Sequence, residues 1–200
     1  MVQFALTDSE KEKLLKVAKE SVRAAVSESK KRKKKGFVDG VEIDKIGIGI
    51  DITEENLKME AGAFVSLHKG GKLRGCIGRF EAEAPLYKTV IKMARAASIN
   101  DYRFTKVTPD EVEDIDIEIS VLSPLARIDN LAEIEVGKHG LYIIKGSSRG
   151  TLLPQVASER GWDRDTFLEQ TCLKAGIDKD AWKKEETEIY IYEALVFSED

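Results

Sequence analysis

The chain has 200 residues, 42% hydrophobic and 34% charged, a makeup that suits a soluble folded protein and excludes a disordered one. Its 36 acidic and 32 basic residues leave a net charge of −4, the wrong sign for a dedicated nucleic-acid binder. Two cysteines, Cys76 and Cys172, lack C-x-x-C spacing. They are too few for a disulfide framework or a cysteine zinc site, and point to a reducing, cytoplasmic setting. The start, Met1 to Asp8, has no charged or apolar region of signal-peptide type, and no apolar run approaches the ~18 residues of a membrane span. Neither a leader nor a membrane contact is expected.

Thr7-Asp8-Ser9-Glu10 has the form of a capping box, and Leu14, Leu15, Ala18, Val22, Ala25 and Val26 follow at helical spacing. They predict an amphipathic helix over about 8–28. The run Lys30 to Lys35 repels itself and reads as a solvated loop. Gly36 to Thr53 is rich in Gly and β-branched residues, with Ile46, Ile48 and Ile50 alternating. Ala63 to His68 and Leu73 to Ile77 predict a hairpin across Lys69-Gly70-Gly71-Lys72. Pro85 opens a helix through Leu86, Val90, Met93 and Ala97. Thr108-Pro109-Asp110-Glu111 repeats the capping pattern for a short turn, and Ile115, Ile117, Ile119 and Val121 alternate as a strand.

The second half follows the same order. Leu141 to Ile144 and Arg149 to Leu152 flank a turn, a helix begins near Asp163, and a closing strand puts Ile189, Ile191, Glu193, Leu195 and Phe197 on one face with Tyr190 and Tyr192 on the other. Leu67 to Ile77 aligns with Ile143 to Leu152 through one gap, matching Arg74-Gly75 to Arg149-Gly150. We expect an α+β fold in which a duplicated β-hairpin/helix/strand unit forms a mainly antiparallel sheet covered by helices. The halves fall at about 36–124 and 125–200, within a single domain.

The segment richest in chemistry is Leu73-Arg74-Gly75-Cys76-Ile77-Gly78. A thiol reacts as its thiolate, and positive charge favours that form. Arg74, at i−2 on a strand, shares the face of Cys76. Gly75 and Gly78 let a ligand approach the backbone, and His68 on the other arm is a candidate base. The competing reading is structural, since small thiols fill cores and strand glycines mark close packing. Asp101 and Arg103, one residue apart, suit either a buried clasp or a pocket wall. Arg149 holds the place of Arg74 in the second half, and two such arginines flanking a crevice would suit an acidic small molecule or peptide carboxylate. Cys172 sits on an apolar helix face, and His139 reads as a turn residue. With two histidines and no clustered carboxylates, no resident metal is expected. No Walker loop or complete dinucleotide fingerprint is present, so no cofactor is expected.

The Leu73 to Gly78 segment resembles the signature of the AMMECR family. Phe64-Val65-Ser66-Leu67, Pro85-Leu86, Asp101-Tyr102-Arg103-Phe104, Ile117 to Pro124, Gly137-Lys138-His139-Gly140-Leu141, Leu152 to Ala157, Cys172 to Gly176 and Ala181-Trp182 agree with it in order. The resemblance implies a duplicated α+β fold, the signature cysteine, here Cys76, as a suggested catalytic residue, and association with Memo-like and radical-SAM proteins. Tyr102 stands where a proline is common, and the Lys30 to Lys35 run is peculiar to this chain. The functional expectation is an enzyme or enzyme component using a Cys/Arg site on a small or peptide substrate. The alternative is a non-catalytic module that binds a partner protein or metabolite.

Overall fold

A computed structural model of the chain describes residues 5–31, 49–80 and 82–199. The Lys30 to Lys35 run and the Gly36 to Thr53 stretch lie largely outside the described residues; within Gly49 to Thr53 no regular element forms. The fold is α+β, as the periodicities indicate, and the chain divides into two units, residues 1–121 with 195–200 and residues 122–194.

In the first unit α1 (Asp8–Lys31) starts from a reciprocal cap. The Thr7 amide donates to the Glu10 carboxylate at 2.8 Å, and the Glu10 amide donates to the Thr7 hydroxyl at 3.3 Å. Two orphan N–H groups are thus satisfied before the apolar stripe begins. Leu14, Ala18, Val22 and Val26 bury that stripe. After the one-turn helix α2 (Glu55–Lys58) come β1 (Ala63–Lys69) and β2 (Lys72–Arg79), joined across Gly70 and Gly71. These two glycines have φ values of 56° and 73°, the left-handed conformations that a two-residue hairpin turn requires. Next is α3 (Leu86–Ile99), capped by Pro85, then a 3₁₀ turn (Pro109–Asp114) carrying the Thr108/Glu111 capping box, then β3 (Ile115–Leu122). The edge strand β2 pairs antiparallel with β1, and β1 with β3.

Period-two alternation splits this sheet into faces. Ala63, Val65 and Leu67 of β1 and Ile115, Ile117, Ile119 and Val121 of β3 join Leu86, Val90, Ala94 and the α1 stripe in one core. Phe64, Ser66 and His68 alternate to the other face, as do Cys76 and Gly78 of β2. The last residues of β7 (Glu188–Ser198) belong here too. Leu195 and Phe197 pack on this core, and beyond them the Glu199 amide donates to the Ile117 carbonyl at 3.0 Å. The Glu199 carboxylate accepts from the Ile117 amide at 3.1 Å and lies 3.5 Å from Lys19.

The second unit contains β4 (Ala126–Ile128), the hairpin β5 (His139–Lys145) and β6 (Ser148–Leu152), α4 (Pro154–Glu159), α5 (Arg164–Lys174) and most of β7. β7 pairs antiparallel with both β4 and β5. Asp163 caps α5, its carboxylate accepting from the Thr166 amide at 2.8 Å. Phe167, Leu168 and Cys172 then bury against Leu141, Ile143, Ile189 and Ile191. Tyr192 is 2% exposed. It fills the space above Gly140, where any Cβ would collide with its ring. Its hydroxyl lies 2.8 Å from that of Thr151 and donates to the Leu152 carbonyl at 3.2 Å.

Candidate functional site

Cys76 sits in the middle of β2, on the edge facing away from β1. An open edge exposes unpaired backbone groups, and here the segment after α3 closes it. The Cys76 amide donates to Asp101 Oδ2 at 2.9 Å, and the Cys76 carbonyl accepts from Arg103 Nη2 at 2.8 Å. Asp101 and Arg103 clasp each other. Oδ1 takes the Arg103 Nε at 2.9 Å and its amide at 3.2 Å, and Oδ2 takes Nη2 at 2.7 Å. The Asp101 side chain is 1% exposed, that of Arg103 42%.

The Arg103 hydrogen bond is the main reason the Asp101 carboxyl falls to about 2; burial opposes it, and the Cys76 and Arg103 amides add to it. The Arg103 guanidinium is in turn raised, first by that hydrogen bond against desolvation, with the negative charge of Asp101 contributing. Arg103 thus holds its cation at the Cys76 backbone. The thiol itself is half-buried. The Ser66 hydroxyl, directly opposite in register, donates to Cys76 Sγ at 3.3 Å.

Arg74, expected on the face of Cys76, has no cross-strand partner because of the bulge between Leu67 and His68, and its guanidinium is committed elsewhere. Nε and Nη2 donate to the two Glu111 oxygens at 3.3 and 3.1 Å. Nη1 donates to the Thr105 carbonyl at 2.6 Å, and Nη2 also to the Lys106 carbonyl at 3.1 Å. Glu111 is pulled down to about 2, chiefly by Arg74, then by the Thr108 amide, against burial. Lys69 stands 3.3 Å from the same carboxylate. Arg74 thus ties the 3₁₀ turn and the segment after α3 to the hairpin.

His68 faces Leu73 on β2 and Asp116 on β3, one cross-strand row away from the Cys76–Ser66 pair. No hydrogen bond joins it to Cys76 among the described residues. A Cβ on Gly75 would press into the Ala97 backbone at the end of α3, and one on Gly78 into the Phe64 ring. Both positions therefore have a packing reason to be glycine. Arg149 lies in the second unit, exposed on β6 opposite Ile144. Cys172 is fully buried, and desolvation pushes its thiol up. His139 is 3% exposed, with Nδ1 accepting from the Glu135 amide at 3.2 Å.

Among the described residues no three His, Cys, Asp or Glu side chains gather to hold a metal ion, and no helix is long and apolar enough to cross a membrane. Sequence reasoning missed Ser66 and Glu111 as members of the site. Ser66 carried one usable signal, its alternation onto the face opposite Val65 and Leu67. Glu111 was legible only as a cap.

The AMMECR1 family model matches residues 15–197. A protein of Methanothermobacter thermautotrophicus is 44% identical over 149 residues, 72% of this chain and 78% of its own. One from Methanosarcina mazei is 34% identical over 199 residues, 97% of this chain and 94% of its own. The crystal structure of an uncharacterized protein from Pyrococcus horikoshii superposes with a TM-score of 0.77 at 32% identity, covering 94% of this chain and 90% of that one. With the Leu73 to Gly78 signature on the edge strand of such a fold, the chain belongs to the AMMECR1 family.

Proposed function

We propose that the chain is an enzyme or enzyme component that uses the Cys76 thiol on a small or peptide substrate bearing an anionic group, which Arg103 receives. The observation that carries this reading is the lock on Cys76. Its amide and carbonyl are both held by the Asp101–Arg103 clasp, so a half-buried sulfur is held in one place beside a half-exposed guanidinium. Preorganisation of that kind favours a nucleophile over a filler of the core. Arg103 takes the part first assigned to Arg74, whose donors are occupied. The test is pH-dependent alkylation of the folded protein with iodoacetamide, resolved at Cys76 and at Cys172. Cys76 is expected to react at least tenfold faster than Cys172 at pH 7. Equal, slow labelling at both would overturn the reading.

The second reading, a non-catalytic module for a partner protein or metabolite, is favoured by Tyr102. This aromatic is 93% exposed between Asp101 and Arg103, and exposed tyrosines are frequent anchors of interfaces. Capture of Memo-like or radical-SAM proteins by the wild type and not by Tyr102→Ala would select it.

The reading of the chain as two repeat-like halves has one support in packing. Gly150, the partner of Gly75 in the alignment, also faces a helix end, for a Cβ there would collide with Ala175 after α5.

A further inference from the structure

We infer that Ser66 is a positioning residue for Cys76, its hydroxyl orienting the sulfur through a cross-strand hydrogen bond that strengthens when the sulfur becomes charged. This inference deepens the proposed use of the thiol and rests on it. Three observations lead to it. The Cys76 amide and carbonyl point at Asp101 and Arg103, so Ser66 and Cys76 form a non-hydrogen-bonded pair, the kind whose side chains approach most closely in an antiparallel ladder. Ser66 is only 7% exposed, and the bond to Cys76 Sγ at 3.3 Å is the one hydrogen bond its hydroxyl makes among the described residues. A neutral thiol is a weak acceptor, whereas a thiolate is a strong one. A buried hydroxyl aimed at sulfur therefore gains most when the sulfur is charged.

The third observation concerns the cations. Arg74 is held by Glu111, Thr105 and Lys106. Three of the Arg103 bonds go to Asp101 and one to the Cys76 carbonyl. None of these donors reaches Sγ among the described residues. The Ser66 hydroxyl is the direct contact.

The experiment compares Ser66→Thr with Ser66→Val. The two side chains have the same shape, so any packing cost is common to both, and only threonine keeps the donor. Each folded protein is alkylated with iodoacetamide across pH 5–10, and the rate at Cys76 is read by peptide mass. The midpoint of the Ser66→Thr profile is expected within about 0.3 pH unit of wild type, and that of Ser66→Val roughly one pH unit higher, the scale of one lost hydrogen bond to a charged group. Coincident Thr and Val profiles, with wild-type Cys76 still far faster than Cys172, would overturn the role of Ser66 and leave the proposed function standing. A wild-type Cys76 as inert as Cys172 would overturn both.

Discussion

Replacing Asp101 by Asn tests the lock on Cys76 most directly. The carboxylate accepts four hydrogen bonds, one from Cys76 and three from Arg103. An asparagine retains a single carbonyl oxygen and turns an NH₂ toward donors. The fall of the Asp101 carboxyl from the ordinary 3.8 to about 2, at about 1.4 kcal/mol per pH unit, corresponds to about 2 kcal/mol of preference for the charged, clasped state. Arg103 is half-exposed and regains water when released, so the cost stays near that figure and below the 3–5 kcal/mol of a fully buried pair. Both tryptophans, Trp162 and Trp182, lie in the other unit, so fluorescence reads the wrong place. Amide exchange at Cys76 reads the right one. About 2 kcal/mol predicts a roughly 30-fold loss of protection there in Asp101→Asn at pH 7. Because the folded carboxyl is depressed, its contribution is complete above the unfolded value near pH 4 and disappears as pH falls through about 2. The gap between wild type and variant must therefore close in acid. A loss of protection below threefold at pH 7, or a gap that persists unchanged at pH 2, would refute the reasoning.

Glu111→Gln removes the partner of Arg74. We expect a loss of about 1–2 kcal/mol in urea unfolding at pH 7, shrinking as pH drops from the ordinary 4.5 toward about 2, where the wild-type carboxyl also becomes neutral. Gly75→Ala forces a Cβ against the Ala97 backbone and should cost about 2–4 kcal/mol by the same assay. Gly71→Ala, in open space but at φ 73°, should cost only about 1 kcal/mol. Tyr192→Phe deletes a buried hydroxyl beside Thr151 and should lower the stability of the second unit by about 1 kcal/mol, read by tryptophan fluorescence in urea.

The parts of the fold visible in the amino-acid pattern are those with several periods to count. The α1 stripe, the Ile115 to Val121 alternation and the two hairpins, with their Gly-Gly and Gly-Ser turns, needed no knowledge of distant contacts. α2, β4 and α4 are four, three and six residues long, too short for a period to emerge. The burial of Tyr192 is not legible in the alternation, for it depends on Gly140 opposite, which leaves a space that the ring fills. The candidate site divides along the same line. Period two predicts a shared face for Arg74 and Cys76, but the direction of the guanidinium depends on Glu111, 37 residues away. The bulge between Leu67 and His68 also sets His68 opposite Leu73 instead of Arg74, and no local rule announces it. The Asp101–Arg103 pair read locally as a clasp. Its grip on the Cys76 backbone, across 25 and 27 residues, did not.

The tie between Glu199 and Ile117 has a practical consequence for anyone trimming this chain. Residues 195–200 complete the unit made by the first 121, so an expression boundary drawn after β3 discards a strand that enters its sheet from the far end of the polypeptide. A fragment of residues 1–121 should aggregate or resist folding, while supplying the 188–200 peptide in trans should rescue it, a complementation assay in which the last thirteen residues act as a detachable part.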